Sequence, residues 1–347
     1  RHLAGYYAGR ALMETKSYDE AARQLEPISR LTTADARTPV AAANLWLARA
    51  SSRNGDYRQA ATVLLAGLKK FPNTPLATDM YFDLGNALMI LKEYKAAAEA
   101  LGQVSKKADF SQRNEALRLR SASLHQIKDY TTSLQLADEF LKTFKNDPLA
   151  AEVLFVRAEN LYLLKQDAPA VKAYQNYLAA QPGSDRAEAA QFRLAQLHYR
   201  KQDWEATLTA LTPLLQKQPE GELFSQLNFM AGDCRFRLKA WEKAIEQLDL
   251  FVDRNMTAAR NRTSDEPNVD GGLMQLALCN MNTGKSGAAT KNLETLIEHY
   301  EDSPHLPLAL AELGRLEYEN GNSAAARNHL RRFMTRYESA PPGGVAG

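Results

Sequence analysis

The chain has 347 residues, of which 45% are hydrophobic and 24% are charged, enough for two ordinary domains or one array of repeats. Its net charge of +2 comes from 43 basic and 41 acidic residues that are interspersed, which argues against nucleic acid or an anionic membrane as a partner. No apolar run approaches the roughly 20 residues that a membrane-spanning helix needs. The sequence starts at Arg1 and has no signal-peptide pattern, so we expect a processed product or an excised piece.

A turn signal recurs along the chain, and a small residue follows it each time. These residues are mostly 37 apart, with one separation of 45, and they are Ala21, Ala60, Ala97, Ser133, Ala170, Thr207, Ala244, Ala289 and Ala326. Twelve residues before each lies a second small residue: Gly9, Ala48, Gly85, Ser121, Ala158, Ala195, Gly232, Ala277 and Gly314. The two small positions predict pairs of helices that cross closely, because larger side chains would hold the helices apart.

The second helix of each pair carries large apolar residues on one face. Most pairs have one four residues after the small position, such as Leu25 or Leu211, and another three residues later. This spacing predicts a buried helix face, which a single pair could not bury but a stack of pairs could. We therefore predict an all-α solenoid over residues 1–337. Its nine repeats lie near 2–38, 41–75, 78–112, 114–148, 151–185, 188–222, 225–253, 270–304 and 307–337.

This pattern resembles the tetratricopeptide repeat, a helix-turn-helix unit of 34 residues with small residues at positions eight and twenty and an aromatic residue near the turn. The resemblance covers residues 2–337 and implies a right-handed α-solenoid of about nine repeats. The tryptophan of the family's fourth position is missing, and Gly5, Leu117 and Gln191 are among the residues that stand there. Lengthened loops such as 183–187 look like those of bacterial cell-envelope members of the family. That likeness implies a periplasmic or cell-envelope location, with a cytoplasmic location as the alternative.

Two segments interrupt the repeat pattern. Residues 254–272 are polar and rich in turn-forming residues, and we expect a long insertion loop there. That loop is either a tolerated insertion or a functional lip on one edge of the solenoid. Residues 338–347 lack core-forming side chains, which predicts a disordered tail.

Patterns for catalysis or metal binding are weak. Gly284-Lys285-Ser286 resembles the end of a phosphate-binding loop, but Cys279 stands where that motif requires a glycine. The six histidines fall in different repeats without the spacing of metal ligands. Cys234 and Cys279 occupy the same position in neighbouring first helices, whose axes lie about 8–10 Å apart, so we expect two buried thiols and no disulfide. We predict that the chain is not an enzyme and holds no cofactor or metal.

The resemblance also implies that the first helix of each pair lines the inner surface of the solenoid, with repeat positions five, nine and twelve facing inward. Positions five and twelve of the middle repeats carry aromatic or methionine side chains, and position nine carries polar ones. The resulting predicted groove consists of Phe82, Asn86, Met89, Phe155, Glu159, Tyr162, Phe192, Gln196, Tyr199, Phe229, Asp233, Phe236, Met274 and Met281. A contiguous apolar stripe of this kind is typical of a binding surface. The alternative for each position-five residue is core packing between first helices.

We therefore predict a non-catalytic scaffold that binds a peptide or helix of another protein in the predicted groove. Nucleic acid and direct membrane insertion are not expected. Two alternatives stay open: a structural subunit that self-assembles through the ends of the solenoid, and the repeat region of a larger enzyme or sensor.

Overall fold

The computed structural model describes residues 2–31, 39–217, 220–260 and 268–338, and these ranges contain eighteen α-helices and no strand. The all-α prediction is confirmed. The helices are α1 (His2–Glu14), α2 (Tyr18–Ser29), α3 (Val40–Arg53), α4 (Tyr57–Lys70), α5 (Ala77–Ile90), α6 (Tyr94–Ser105), α7 (Arg113–Gln126), α8 (Tyr130–Thr143), α9 (Ala150–Leu163), α10 (Asp167–Ala180), α11 (Ala187–Arg200), α12 (Trp204–Gln216), α13 (Glu222–Arg237), α14 (Trp241–Arg260), α15 (Val269–Asn282), α16 (Ser286–His299), α17 (Leu306–Glu319) and α18 (Ser323–Glu338).

The turn inside each helix pair follows one local rule. The second residue after the end of each first helix has a positive φ, and these residues are Lys16, Gly55, Lys92, Lys128, Lys165, Gln202, Lys239, Gly284 and Gly321. A left-handed residue at this position closes a helix and reverses the chain. The second helix often begins with an aspartate cap, as where Asp129 accepts a hydrogen bond from the Thr132 amide. The sequence therefore folds locally into hairpins.

The two small positions lie where the helices of a hairpin cross. A Cβ atom added at Gly85 would lie 2.5 Å from Cγ of Leu101, and one at Gly232 would lie 2.7 Å from Cγ of Leu248. Where the glycine is replaced by Ser121, its hydroxyl instead donates to the Ser133 carbonyl at 2.9 Å. The predicted close approach is confirmed.

The chain divides into two compact units, Arg1–Ala187 (unit 1) and Glu188–Gly347 (unit 2). In unit 1 every helix from α1 to α10 packs on the next, and successive first helices (α1, α3, α5, α7 and α9) also meet. In unit 2 the helices from α12 to α18 pack in sequence, and α13 meets α15. The core of each unit lies between the two helix layers, where residues such as Leu64, Leu101, Leu248 and Leu293 are fully buried.

The prediction of a loop at residues 254–272 is wrong for most of that range. Helix α14 continues to Arg260, and α15 already begins at Val269. The helix continues because its buried face does: Asn255, four residues after Phe251, is buried, donates to the Phe251 carbonyl at 2.7 Å and bonds Ser225. Residues 261–267 of the expected loop lie outside the described residues, as does the expected tail apart from Glu338.

Both cysteines are free and fully buried, as predicted, and burial raises the pKa of each thiol to about 12. Among the described helices, none combines the length and the apolar character that crossing a membrane would require.

Candidate functional site

Unit 1 contains a cleft of about 500 Å³ between the first helices α5, α7 and α9. Three residues of the predicted groove line it: Met89 at the end of α5, and Phe155 and Glu159 on α9. Its volume falls within the roughly 300–1,000 Å³ of ordinary ligand pockets. These three residues therefore share one concave surface with residues that were not part of the predicted groove.

The apolar wall of the cleft is held in place from behind. The Phe155 ring packs edge-on against Tyr177, with centroids 5.2 Å apart, and the guanidinium carbon of Arg186 lies 5.1 Å from the Phe155 centroid. Met89 is anchored by its sulfur, which lies 2.7 Å from the Ser123 hydroxyl. Both side chains are half-buried, so they keep a surface toward the cleft while their positions are fixed.

Charged side chains form the rest of the lining. The guanidinium of Arg118 donates through Nη1 to Glu152 at 2.7 Å and through Nη2 to Glu115 at 3.4 Å. Its Nε is shielded from solvent and has no hydrogen-bond partner among the described residues. Glu159 accepts a hydrogen bond from the Tyr174 hydroxyl. The cleft thus combines an apolar wall with guanidinium and carboxylate groups that can pair with a polar backbone.

His125 also lines the cleft, and its tautomer follows from its neighbour. Its Nδ1 lies 2.7 Å from Oδ1 of Asn160, while Nδ2 of Asn160 donates to Ser133 at 2.7 Å. Because Oδ1 can only accept, the neutral imidazole carries its proton on Nδ1 and leaves Nε2 as an acceptor.

Sequence reasoning missed Arg118, His125, Glu152 and Arg186. A signal for the first two was present: Arg118 stands at position five and His125 at position twelve, where most middle repeats carry aromatic residues or methionine. A break in an aromatic row marks the repeat whose inner surface differs in chemistry.

Phe82 and Met274 belong to the core, and the prediction that they present a groove surface is wrong. They are 5% and 3% exposed, which agrees with the alternative interpretation of core packing for these two residues. Phe82 packs against Phe110 with ring centroids 5.7 Å apart. Asn86 donates back to the Phe82 carbonyl of its own helix at 3.0 Å.

In unit 2 the predicted residues Tyr199 and Asp233 meet in a polar network around Asp233, which is only 1% exposed. Its carboxylate accepts from the Tyr199 hydroxyl at 2.6 Å, from Gln275 at 2.5 Å and from Nε of Arg237 at 3.3 Å. Burial, with the hydrogen bond to Asp233, raises the pKa of Tyr199. This Asp233 network ties α11, α13 and α15 together, and Asp233 is therefore a structural residue.

The aromatic residues of unit 2 pack mainly on neighbouring rings. The ring pairs are Tyr199 with Trp204 at 5.5 Å, Phe236 with Trp241 at 5.6 Å and Phe229 with Phe251 at 5.0 Å. The remaining predicted groove residues are all half-buried: Tyr162 on α9, Phe192 and Gln196 on α11, and Met281 on α15. Whether a partner contacts them stays a prediction.

Two segments of the chain, residues 45–112 and 187–259, match the tetratricopeptide-repeat family model. These two segments therefore consist of tetratricopeptide repeats. Within them the family's fourth-position tryptophan is replaced by Tyr81, Gln191 and Asn228. No curated protein matches the sequence significantly.

Several solved structures of tetratricopeptide-repeat proteins are similar to the chain. One from Parabacteroides merdae has 14% identity and a TM-score of 0.45, over 85% of this chain and 98% of its own. YrrB, described as having an unusual peptide-binding site, has 16% identity and a TM-score of 0.45, over 53% and 89%. PilF of Pseudomonas aeruginosa has 17% identity and a TM-score of 0.44, over 63% and 92%. At these values the likeness carries no argument about function.

Proposed function

We propose that this protein is a non-catalytic scaffold that binds a peptide segment of another protein in the cleft between α5, α7 and α9. The observation that carries the proposal is the cleft itself, a concavity of about 500 Å³ with a fixed apolar wall and charged residues around it. Peptides bind repeat surfaces through a few anchoring side chains and hydrogen bonds to their backbone.

The lining favours a ligand with an apolar or aromatic side chain next to a hydrogen-bond acceptor. Phe155 and Met89 offer the apolar contact, and Arg186 already lies against the Phe155 ring. Arg118 is the natural donor to a peptide carbonyl or carboxylate, because a guanidinium presents several N–H groups in a fixed plane. Its present partner Glu152 is half exposed and can move aside.

The same proposal assigns unit 2 a supporting role. The Asp233 network uses its polar groups internally, through Tyr199 and Gln275, and leaves fewer of them for a ligand. This narrows the predicted groove from the whole row of first helices to the three that surround the cleft.

The test compares one substitution at the same repeat position in the two units. Peptides are selected from a displayed random library on the full chain, and their affinities are measured by isothermal titration. Ala122 lines the cleft at position nine, so Ala122→Tyr fills it and should weaken binding at least about tenfold, or about 1.4 kcal/mol. Gln196→Tyr places the same side chain on α11 and should leave affinity within about twofold.

Circular dichroism and thermal unfolding establish that both variants fold. Undiminished peptide binding by folded Ala122→Tyr would refute the cleft as the site. Loss of binding in Gln196→Tyr alone would move the site to unit 2.

A further inference from the structure

The outer face of the last described helix, α18, is less covered than its equivalents. Seven hairpins are followed by another within the same unit, and in each the side chain four residues after the small position is fully buried: Leu25, Leu64, Leu101, Ala137, Leu211, Leu248 and Leu293. In α18 the equivalent Leu330 is 39% exposed. Four residues further on, the equivalent residues of these seven hairpins are buried, as are Leu68, Val252 and Ile297, or half-buried, whereas Met334 is 56% exposed.

The first helix of the following hairpin provides the cover in those cases. It presents residues at repeat positions three and ten, such as Ala43 and Ala50 of α3 or Ala309 and Leu316 of α17, all of them buried. Most of these residues are small or aliphatic, which lets the helix lie close to its neighbour. A helix of that kind is the shape that the α18 face would accept.

The chemistry of this face differs from that of the earlier hairpins. A shallow depression of about 510 Å³ on α18 is lined by Tyr318 of α17 and by Arg327, Leu330, Arg331 and Met334 of α18. We call these five residues the end face. Arg327 stands where the earlier second helices carry small, aliphatic or threonine residues, from Ala22 to Thr290. Within the described ranges, neither Arg327 nor Arg331 has a carboxylate partner.

Internal hairpins indicate which groups would satisfy these polar residues. Asp138 of α8 occupies the repeat position of Arg331 and pairs with Arg157 of the next first helix at 2.5 Å. Because α18 carries an arginine where α8 carries an aspartate, the charges of such a pair would be exchanged. The helix that covers α18 would therefore need to supply the carboxylate. Tyr199 occupies the position of Tyr318 and donates to Asp233 of a first helix at 2.6 Å.

We propose that the end face docks an acidic amphipathic helix of another protein, laid along α18 where the first helix of a further repeat would lie. The helix has small apolar residues seven apart against Leu330 and Met334. Its carboxylates face Arg331 and the hydroxyl of Tyr318. A second copy of this chain fits less well. Two end faces would bring their arginines together, and α1 would offer Arg10 where an acid is needed.

The probes for the test are two 16-residue helical peptides rich in alanine and leucine. One carries glutamates at the positions that face α18, and the other carries lysines there. Binding of each to the full chain is followed by fluorescence anisotropy. The glutamate peptide should bind at least about tenfold more tightly than the lysine peptide, and added salt should reduce the difference.

Charge reversal in the chain provides the decisive comparison. Arg327→Glu with Arg331→Glu should invert the preference, and Arg58→Glu, an exposed arginine on α4, should leave it unchanged. Met334→Asp should abolish binding of both peptides in a folded chain. The proposal fails if neither peptide binds or if the double variant keeps the original preference. It also fails if light scattering finds a concentration-dependent dimer that Met334→Asp dissolves, since a second copy would then occupy the face.

Discussion

The first helices of unit 1 and unit 2 use the same repeat positions for different purposes. At position nine α7 carries Ala122, whose small side chain leaves a cleft, whereas α13 carries Asp233, which fills the equivalent place and bonds two neighbouring helices. The repeat therefore fixes where a side chain points, and the side chain decides whether the surface is open or closed. We expect binding where it is open and stability where it is closed.

The largest expected effect concerns Asp233. Asp233→Ala leaves the Tyr199 hydroxyl and the Gln275 amide without their buried acceptor, which should lower the free energy of unfolding by about 3 kcal/mol. Asn86→Ala, at the same position in unit 1, loses a bond within its own helix and should cost less than about 1 kcal/mol. Urea unfolding followed by circular dichroism measures both. If both substitutions lowered the free energy of unfolding equally, position nine would not serve different purposes in the two units.

The buried thiols report how tightly unit 2 is closed. Burial penalises the thiolate and raises the pKa of Cys234 and of Cys279 from 9.0 to about 12, so at pH 8 the native chain holds much less thiolate than the unfolded chain. We expect reaction with a disulfide reagent only through opening of the unit. As pH rises from 9 toward 12, unfolded thiols ionise before native ones, and stability falls. Fast labelling at pH 8 of a chain that remains folded would contradict a closed unit 2.

The smallest expected effect concerns the hairpin turns, in which the two units should not differ. Lys128 in unit 1 and Lys239 in unit 2 hold the hairpin turn with φ values of 66° and 58°. Substitution of either by glycine removes left-handed strain and should raise the free energy of unfolding by roughly 0.5 kcal/mol. If both variants gain a similar free energy of unfolding, the two units differ in the inner faces of their first helices and not in their turns. If only one variant gains stability, the two units also differ in their turns.

Helix pairing could be read from the sequence because it depends on local and repeated signals. The small residues at the crossing, as at Gly85 and Gly232, recur in every repeat, so each copy supports the interpretation of the others. The missed end of α14 illustrates the limit. Asn255 reads as a loop residue, and only its contacts with Ser225 and Phe251 make it part of a buried helix face.

The candidate site was predicted only in part, for a related reason. Periodicity places Phe82, Phe155 and Met274 at one repeat position, but Phe82 and Met274 are buried whereas Phe155 is half-buried. Contacts with neighbouring helices, which periodicity does not show, make this difference. The cleft opens beside Ala122, and no single residue type signals such a gap. The closed pairing of Tyr199 with Asp233 joins residues 34 apart, which a pattern within one repeat cannot show.

Hydrogen exchange of the full chain with and without a selected peptide tests the central claim most directly. If the cleft is the binding site, amide protection should increase in α5, α7 and α9 and stay unchanged in α11, α13 and α15. Protection that increases in α11, α13 and α15, with none in α7 and α9, would contradict the account.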